Sequence, residues 1–156
     1  MINLIMKKLD PKFTKRVYDS LMKEKKTWKK DLNYVKAMTS GFHPDKKYYY
    51  ELADFIIKFL KEEYNEDYFL SCWWANFYKK GQFAEKHHHK PEMVSAIFVV
   101  KSSKYNPITF YDKHENKIKI VEQDGLLMLF SSNLPHSVDI CKENRLSLAL
   151  DFNLKK

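Results

Sequence analysis

The chain has 156 residues, with 28 Lys+Arg against 20 Asp+Glu and a formal net charge of +8. At 44% hydrophobic and 15% aromatic residues it is too apolar for a disordered chain, yet no apolar run approaches the ~20 residues of a membrane-spanning helix. The opening MINLIM meets Lys7 and Lys8 too soon for a signal peptide, and two cysteines, Cys72 and Cys141, do not make a disulfide framework. The expectation is a single cytoplasmic domain over residues 1–156, soluble and without membrane contact.

Along the chain, the charge comes first. Residues 1–47 hold 13 basic and 5 acidic residues, so the whole positive excess lies there. Only Arg16 in that stretch is an arginine, the residue that best reads phosphates and bases, and no nucleic-acid motif accompanies the lysines. A solvated lysine-rich face is therefore expected rather than a nucleic-acid partner. Asp10-Pro11 is a helix start, and Phe13, Val17 and Leu21 then form one apolar stripe. The run Lys23–Lys30 is expected to continue this helix, with Trp28 and Leu32 turned inward. After a loop at Gly41, a second helix is expected from Pro44-Asp45 to about Tyr64, on Tyr48, Leu52, Phe55, Ile56, Phe59 and Leu60.

Beyond Asp67 the texture changes to short apolar and β-branched runs between polar turns. Strands are expected near 68–78, 86–89, 94–101, 107–111, 117–122, 126–131, 135–140 and 145–153. The turns fall at Lys79–Gly81, Lys90–Glu92, Ser102–Asn106, Asp112–Asn116, Gln123–Gly125 and Lys142–Asn144. Helices over 1–66 and strands over 67–156 give an α+β fold, with a sandwich or jelly-roll core.

Four histidines lie in this second part: His87, His88, His89 and His136. On a strand, His87 and His89 share one face and His88 takes the other. Such a pair can bind one metal ion with His136 as a third ligand, leaving open positions for substrate and oxygen. It also fits an exposed loop of solvated imidazoles. Arg145 adds weight. It follows His136 by nine residues, across a turn that would fold it back beside that histidine. It also opens the alternating run Arg145–Leu154, whose polar face holds Arg145, Ser147, Ala149, Asp151 and Asn153. A guanidinium there offers a planar fork for a carboxylate.

These residues resemble a known family. Trp74-Ala75-Asn76 with Gly81, then His87-His88-His89, then Ser95, resemble the W-x-N-x-x-x-x-G…H-x-H…S-G run of the small 2-oxoglutarate–iron(II) oxygenases. Those proteins occur in bacteria and phages and are related to the prolyl-hydroxylase-like oxygenases. Pro107–Asp112 resembles the family's short strand ending in Asp. Gly125–Ser132 with Pro135–Val138 resembles its G-x-L-x-x-F-x-S…H-x-V, and Arg145–Asn153 its R-I-S-x-x-x-x-N, one residue longer. The departures are Ala96 for Gly, Lys90 for Pro and Lys113 for Pro. In addition, His89 stands where most 2-oxoglutarate oxygenases carry Asp or Glu.

The resemblance implies a double-stranded β-helix with the N-terminal helices packed on it. It implies a 2-oxoglutarate- and Fe(II)-dependent dioxygenase that hydroxylates a peptide, protein or small molecule. Iron(II) would be bound by His87, His89 and His136, with 2-oxoglutarate chelating it and reaching Arg145 through its far carboxylate. Asn76 and Ser95 would add hydrogen bonds to the cosubstrate, and O2 would be consumed with release of succinate and CO2. Two other readings stay open: a cupin-type metal enzyme that does not use 2-oxoglutarate, and a non-catalytic jelly-roll binding module. Neutral imidazoles must coordinate, so iron binding is expected to weaken as pH falls through about 6.

Overall fold

The computed structural model describes residues 3–32, 34–105 and 107–156. Among the described residues, two α-helices and a mostly antiparallel sheet make up the fold. Strand β1 (Ile5–Lys8) leads into helix α1 (Pro11–Glu24). The Asp10 side chain accepts from the Lys12 amide at 2.9 Å and Pro11 fills the first turn, as the sequence predicts. Thr14, Val17 and Leu21 are buried, and Phe13 packs on Phe98 with ring centroids 5.7 Å apart.

The helix does not run on to Lys30. It ends at Glu24 in a 3-10 turn over Lys25–Thr27, and Trp28 is extended. A hairpin follows, of β2 (Lys29–Leu32) and β3 (Val35–Thr39). Strand pairing outweighs the helical pattern of this segment, because β3 also bonds β4 (Tyr68–Tyr78) and β5 (Phe83–His87) and joins two parts of the sheet. Trp28 does pack against the core, while the side chain of Leu32 lies outside the described residues, as does Asn106 at the end of its expected turn.

Helix α2 (Lys47–Tyr64) starts three residues after Pro44 and ends on Asn65 in the left-handed conformation. It buries Tyr48, Tyr49, Leu52, Ala53, Ile56 and Leu60, whereas Phe55 is exposed. So the N-terminal 66 residues are not only helical: they give three strands to the sheet. The remaining strands are β6 (Val94–Lys101), β7 (Ile108–Tyr111), β8 (Lys117–Lys119), β9 (Leu126–Ser131), β10 (His136–Val138) and β11 (Arg145–Leu154).

The strand order is β1-β9-β6-β11-β4-β3-β5-β10-β7-β8, with β2 paired to β3. Strand β11 is central, bonded to β4 on one side and β6 on the other. Its alternation sorts the interior. Leu146, Leu148, Leu150 and Phe152 join the cluster under α1 and α2. Arg145, Ser147, Ala149 and Asp151 face the other way and are also buried. On that second side, Ile97, Val99, Ile108, Phe110, Met128 and Phe130 make a further apolar cluster. At Gly125 (φ +87°) a Cβ would stand 3.0 Å from the Thr14 hydroxyl, so glycine lets β9 begin directly against α1. Among the described residues no helix is long and apolar enough to cross a membrane.

Candidate metal centre

Strand register brings the histidines together. His87 ends β5 and lies directly opposite His136, the first residue of β10. His89 lies just past the end of β5, and its backbone amide donates to the Ser132 carbonyl at 2.8 Å. The ring centroids are 4.4 Å apart for His87–His136, 4.9 Å for His89–His136 and 5.4 Å for His87–His89. One ligand atom from each of the three lies within 4.8 Å of the others, in a geometry that could hold a metal ion. His88 is exposed.

The Nδ1 atoms are all engaged. His87 Nδ1 is 2.6 Å from the Glu85 carbonyl, His136 Nδ1 3.1 Å from the Leu134 carbonyl, and His89 Nδ1 2.9 Å from Asp151 Oδ1. Each contact is to an acceptor, so each neutral ring carries its proton on Nδ1 and leaves the Nε2 lone pair free. Burial pushes the His87 pKa down to about 4, and the neighbouring His89 and His88 act in the same direction. Burial, followed by the charges of His89 and His87, holds His136 well below the ordinary imidazole value. His87 and His136 are thus held in the neutral form that coordinates metals, and protons compete for them only well below the pH of about 6 that an ordinary imidazole would set.

The cavity beside them is lined by Trp74, Asn76 and Tyr78 from β4, by Arg145, Ser147 and Ala149 from β11, and by the three histidines. Its free space is about 20 Å³, on the scale of one water. Trp74 Nε1 and Asn76 Oδ1 are buried without a hydrogen-bond partner. An unpaired donor and an unpaired acceptor on one strand face of this small cavity point to a polar ligand. The adjacent Trp73 faces the helices instead, donating to the Pro44 carbonyl at 2.9 Å.

Arg145 reaches this cavity by another route than the sequence suggests. No hairpin pairs β10 with β11, because β10 bonds β5 and β7 while β11 is inserted between β4 and β6. Arg145 and His136 therefore border the cavity from different parts of the sheet. The guanidinium is already engaged: Nε donates to Glu122 Oε2 at 3.0 Å, Nη2 to Glu122 Oε1 at 2.7 Å, and Nη1 to Ser147 Oγ at 3.2 Å. Burial opposes the charge, but the Glu122 carboxylate outweighs it and raises the arginine's pKa above its ordinary value. Ser95 is fully buried away from the cavity lining; its hydroxyl donates to Asp151 Oδ1 at 2.6 Å and shares a 2.8 Å contact with Ser132.

Sequence reading missed Glu122 and gave Asp151 no role. Glu122 follows β8 in an irregular segment with no periodicity to mark it. Asp151 stood on the polar face of β11, and its cross-strand partner Ser95 follows from the register alone.

No protein-family model and no curated protein matches the sequence. Solved structures do match the fold. A prolyl-4-hydroxylase from Pseudomonas putida superposes with a TM-score of 0.80 at 14% identity, over 98% of this chain and 93% of that one. A Trichoplax adhaerens prolyl hydroxylase, solved with a hypoxia-inducible-factor peptide fragment, gives 0.79 at 14% identity, over 96% and 83%. The non-haem α-ketoglutarate-dependent epimerase of nogalamycin biosynthesis gives 0.77 at 10% identity, over 96% and 76%. The chain has the fold of these oxygenases. At such identities the likeness is one of architecture, and the chemistry must be argued from the side chains.

Proposed function

We propose that this protein is an Fe(II)- and 2-oxoglutarate-dependent dioxygenase acting on a peptide, protein or small molecule. In this reading the whole chain is one domain, its sheet a double-stranded β-helix, and its free cysteines suit the cytoplasm. The observation that carries the proposal is the convergence of three Nδ1-anchored imidazoles on a small cavity that also holds a buried arginine. A donor set of imidazoles alone suits iron(II), with zinc and copper as competitors.

In the mechanism, His87, His89 and His136 would hold iron(II) through Nε2. Arg145 retains N–H groups beyond the three it uses, and would receive the far carboxylate of 2-oxoglutarate. Trp74 Nε1 and Asn76 Oδ1 are the unpaired polar groups left for the ligands, while Ile97, Val138 and Ala149 keep the cavity apolar and exclude water. The bound metal would supply the coupling of O2 reduction to decarboxylation of the keto acid. The 20 Å³ of free space requires side chains to shift on entry of the cosubstrate.

A cupin-type metal enzyme without 2-oxoglutarate is the second reading, favoured by the all-histidine donor set and by Glu122 already seated on Arg145. Titration of 2-oxoglutarate into the anaerobic iron(II) protein decides between them. The first reading expects a visible charge-transfer band, succinate once oxygen is admitted, and loss of both in His87→Ala. A protein that binds iron but gives neither band nor succinate sinks it and leaves the second.

A further inference from the structure

Two carboxylates are buried near the cavity, and among the described residues only one is paired with an arginine or lysine. Glu122 has Arg145. Asp151, whose side chain is 5% exposed, meets the His89 imidazole, and among the described residues no lysine or arginine is paired with it. The rest of its shell is neutral: the Ser95 hydroxyl donates to Oδ1 at 2.6 Å, and the Ser71 hydroxyl donates to its backbone carbonyl at 3.2 Å. Isolating a carboxylate from water in this way is costly unless a positive charge sits close by. A metal ion held by the three-histidine cluster, across the His89 ring from Asp151, would supply that charge.

We propose that Asp151, acting through the Nδ1–H of His89, supplies the negative charge of the metal centre. Three neutral imidazoles and one buried carboxylate have the same total charge as two imidazoles and a directly bound carboxylate. Here the charge lies one ring further from the ion. The hydrogen bond makes Nε2 a better donor and fixes the ring's rotation, as carboxylate–histidine pairs do behind many metal ions. Asp151 is thus a positioning residue, and Ser95 orients it from the facing position on β6. The inference rests on the metal reading above and does not depend on 2-oxoglutarate.

The test is a metal-affinity cycle, with cobalt(II) absorption and iron(II) titration of the anaerobic protein as readouts. Asp151→Asn keeps an oxygen for His89 and removes the charge, and is expected to weaken binding by roughly 10–100-fold. His89→Asp puts the carboxylate directly on the metal, and in that background Asp151→Asn should cost little or even tighten binding. Unchanged affinity in the first pair overturns the proposal. An equal loss in both backgrounds also overturns it, since that marks a purely structural role. Should the single Asp151→Asn variant fail to fold, the comparison of His89→Asp with His89→Asp/Asp151→Asn still decides: a tenfold loss there sinks the idea. A wild-type protein that binds neither metal overturns the metal reading and this inference together.

Discussion

Arg16 on the outside of α1 and Arg145 at the head of β11 each present a guanidinium to a glutamate, and both pairs are two-pronged. Arg16 meets Glu51 of α2 at 3.0 and 2.8 Å, and Arg145 meets Glu122 at 3.0 and 2.7 Å. The surroundings separate them. The Arg16 side chain is 56% exposed, while those of Arg145 and Glu122 are 1% and 0% exposed. On the surface, water solvates the same charges almost as well, so the bond adds little. Inside, each charge depends on the other, and removing one leaves its partner stranded. Geometry alone does not separate these two pairs; burial does.

Glu122→Gln should have the largest effect of the variants that probe this contrast. The amide fills the same space but leaves the Arg145 charge unpaired, at a cost of about 3–5 kcal/mol in unfolding free energy. Urea titration with a fluorescence readout measures it. A carboxylate ligand that reaches Arg145 would offset the loss, so 2-oxoglutarate should raise the variant's melting temperature more than the wild type's. A variant as stable as the wild type would mean that water reaches the pair and that the buried arginine is no special site.

The imidazoles extend the buried side of the comparison. His87 is neutral in the folded chain down to about pH 4, whereas in the unfolded chain it takes up a proton near its ordinary value of 6.5. Between those values the unfolded state binds more protons, so stability is full above about 6.5 and is lost as pH falls toward 4. For His87 this span corresponds to about 3 kcal/mol. Urea unfolding of the metal-free protein at pH 7 and pH 4.5, with His87→Asn as control, reads it. The variant should lose most of that contribution to the pH dependence. Equal slopes in the two proteins would show His87 to be solvated.

How much of this was legible in sequence follows from where each signal lies. The run Arg145–Leu154 is long and alternating, so its two faces could be read, and the structure sets the leucines under the helices and Arg145, Ser147 and Ala149 toward the cavity. The three histidines were legible because few residue types bind metals and the H-x-H spacing is short. Strands β1 to β3 were not, because four- and five-residue strands are too short to carry a clear period, and β1 and β3 gain their order from neighbours distant in sequence. The pairing of Glu122 with Arg145, and of His89 with Asp151, depends on loops meeting the central strand β11 across 23 and 62 residues, which no local pattern encodes.

The surface arginine provides the smallest expected effect and the control for the rest. Glu51→Gln removes the carboxylate that serves both Arg16 and Lys47. Solvent surrounds both cations, so neither is stranded, and Arg16 keeps its packing over the Phe13 ring at 5.3 Å. The melting temperature should barely move at low salt, and the remaining difference should vanish as ionic strength rises, since exposed charges are screened within a Debye length. Glu122→Gln should show no such salt dependence, because ions do not reach a pair with no exposed surface. Parallel melts of the two variants across a salt series test the comparison directly. A surface variant that loses as much as the buried one would show that Arg16–Glu51 locks α1 to α2, and that burial is not what sets the two pairs apart.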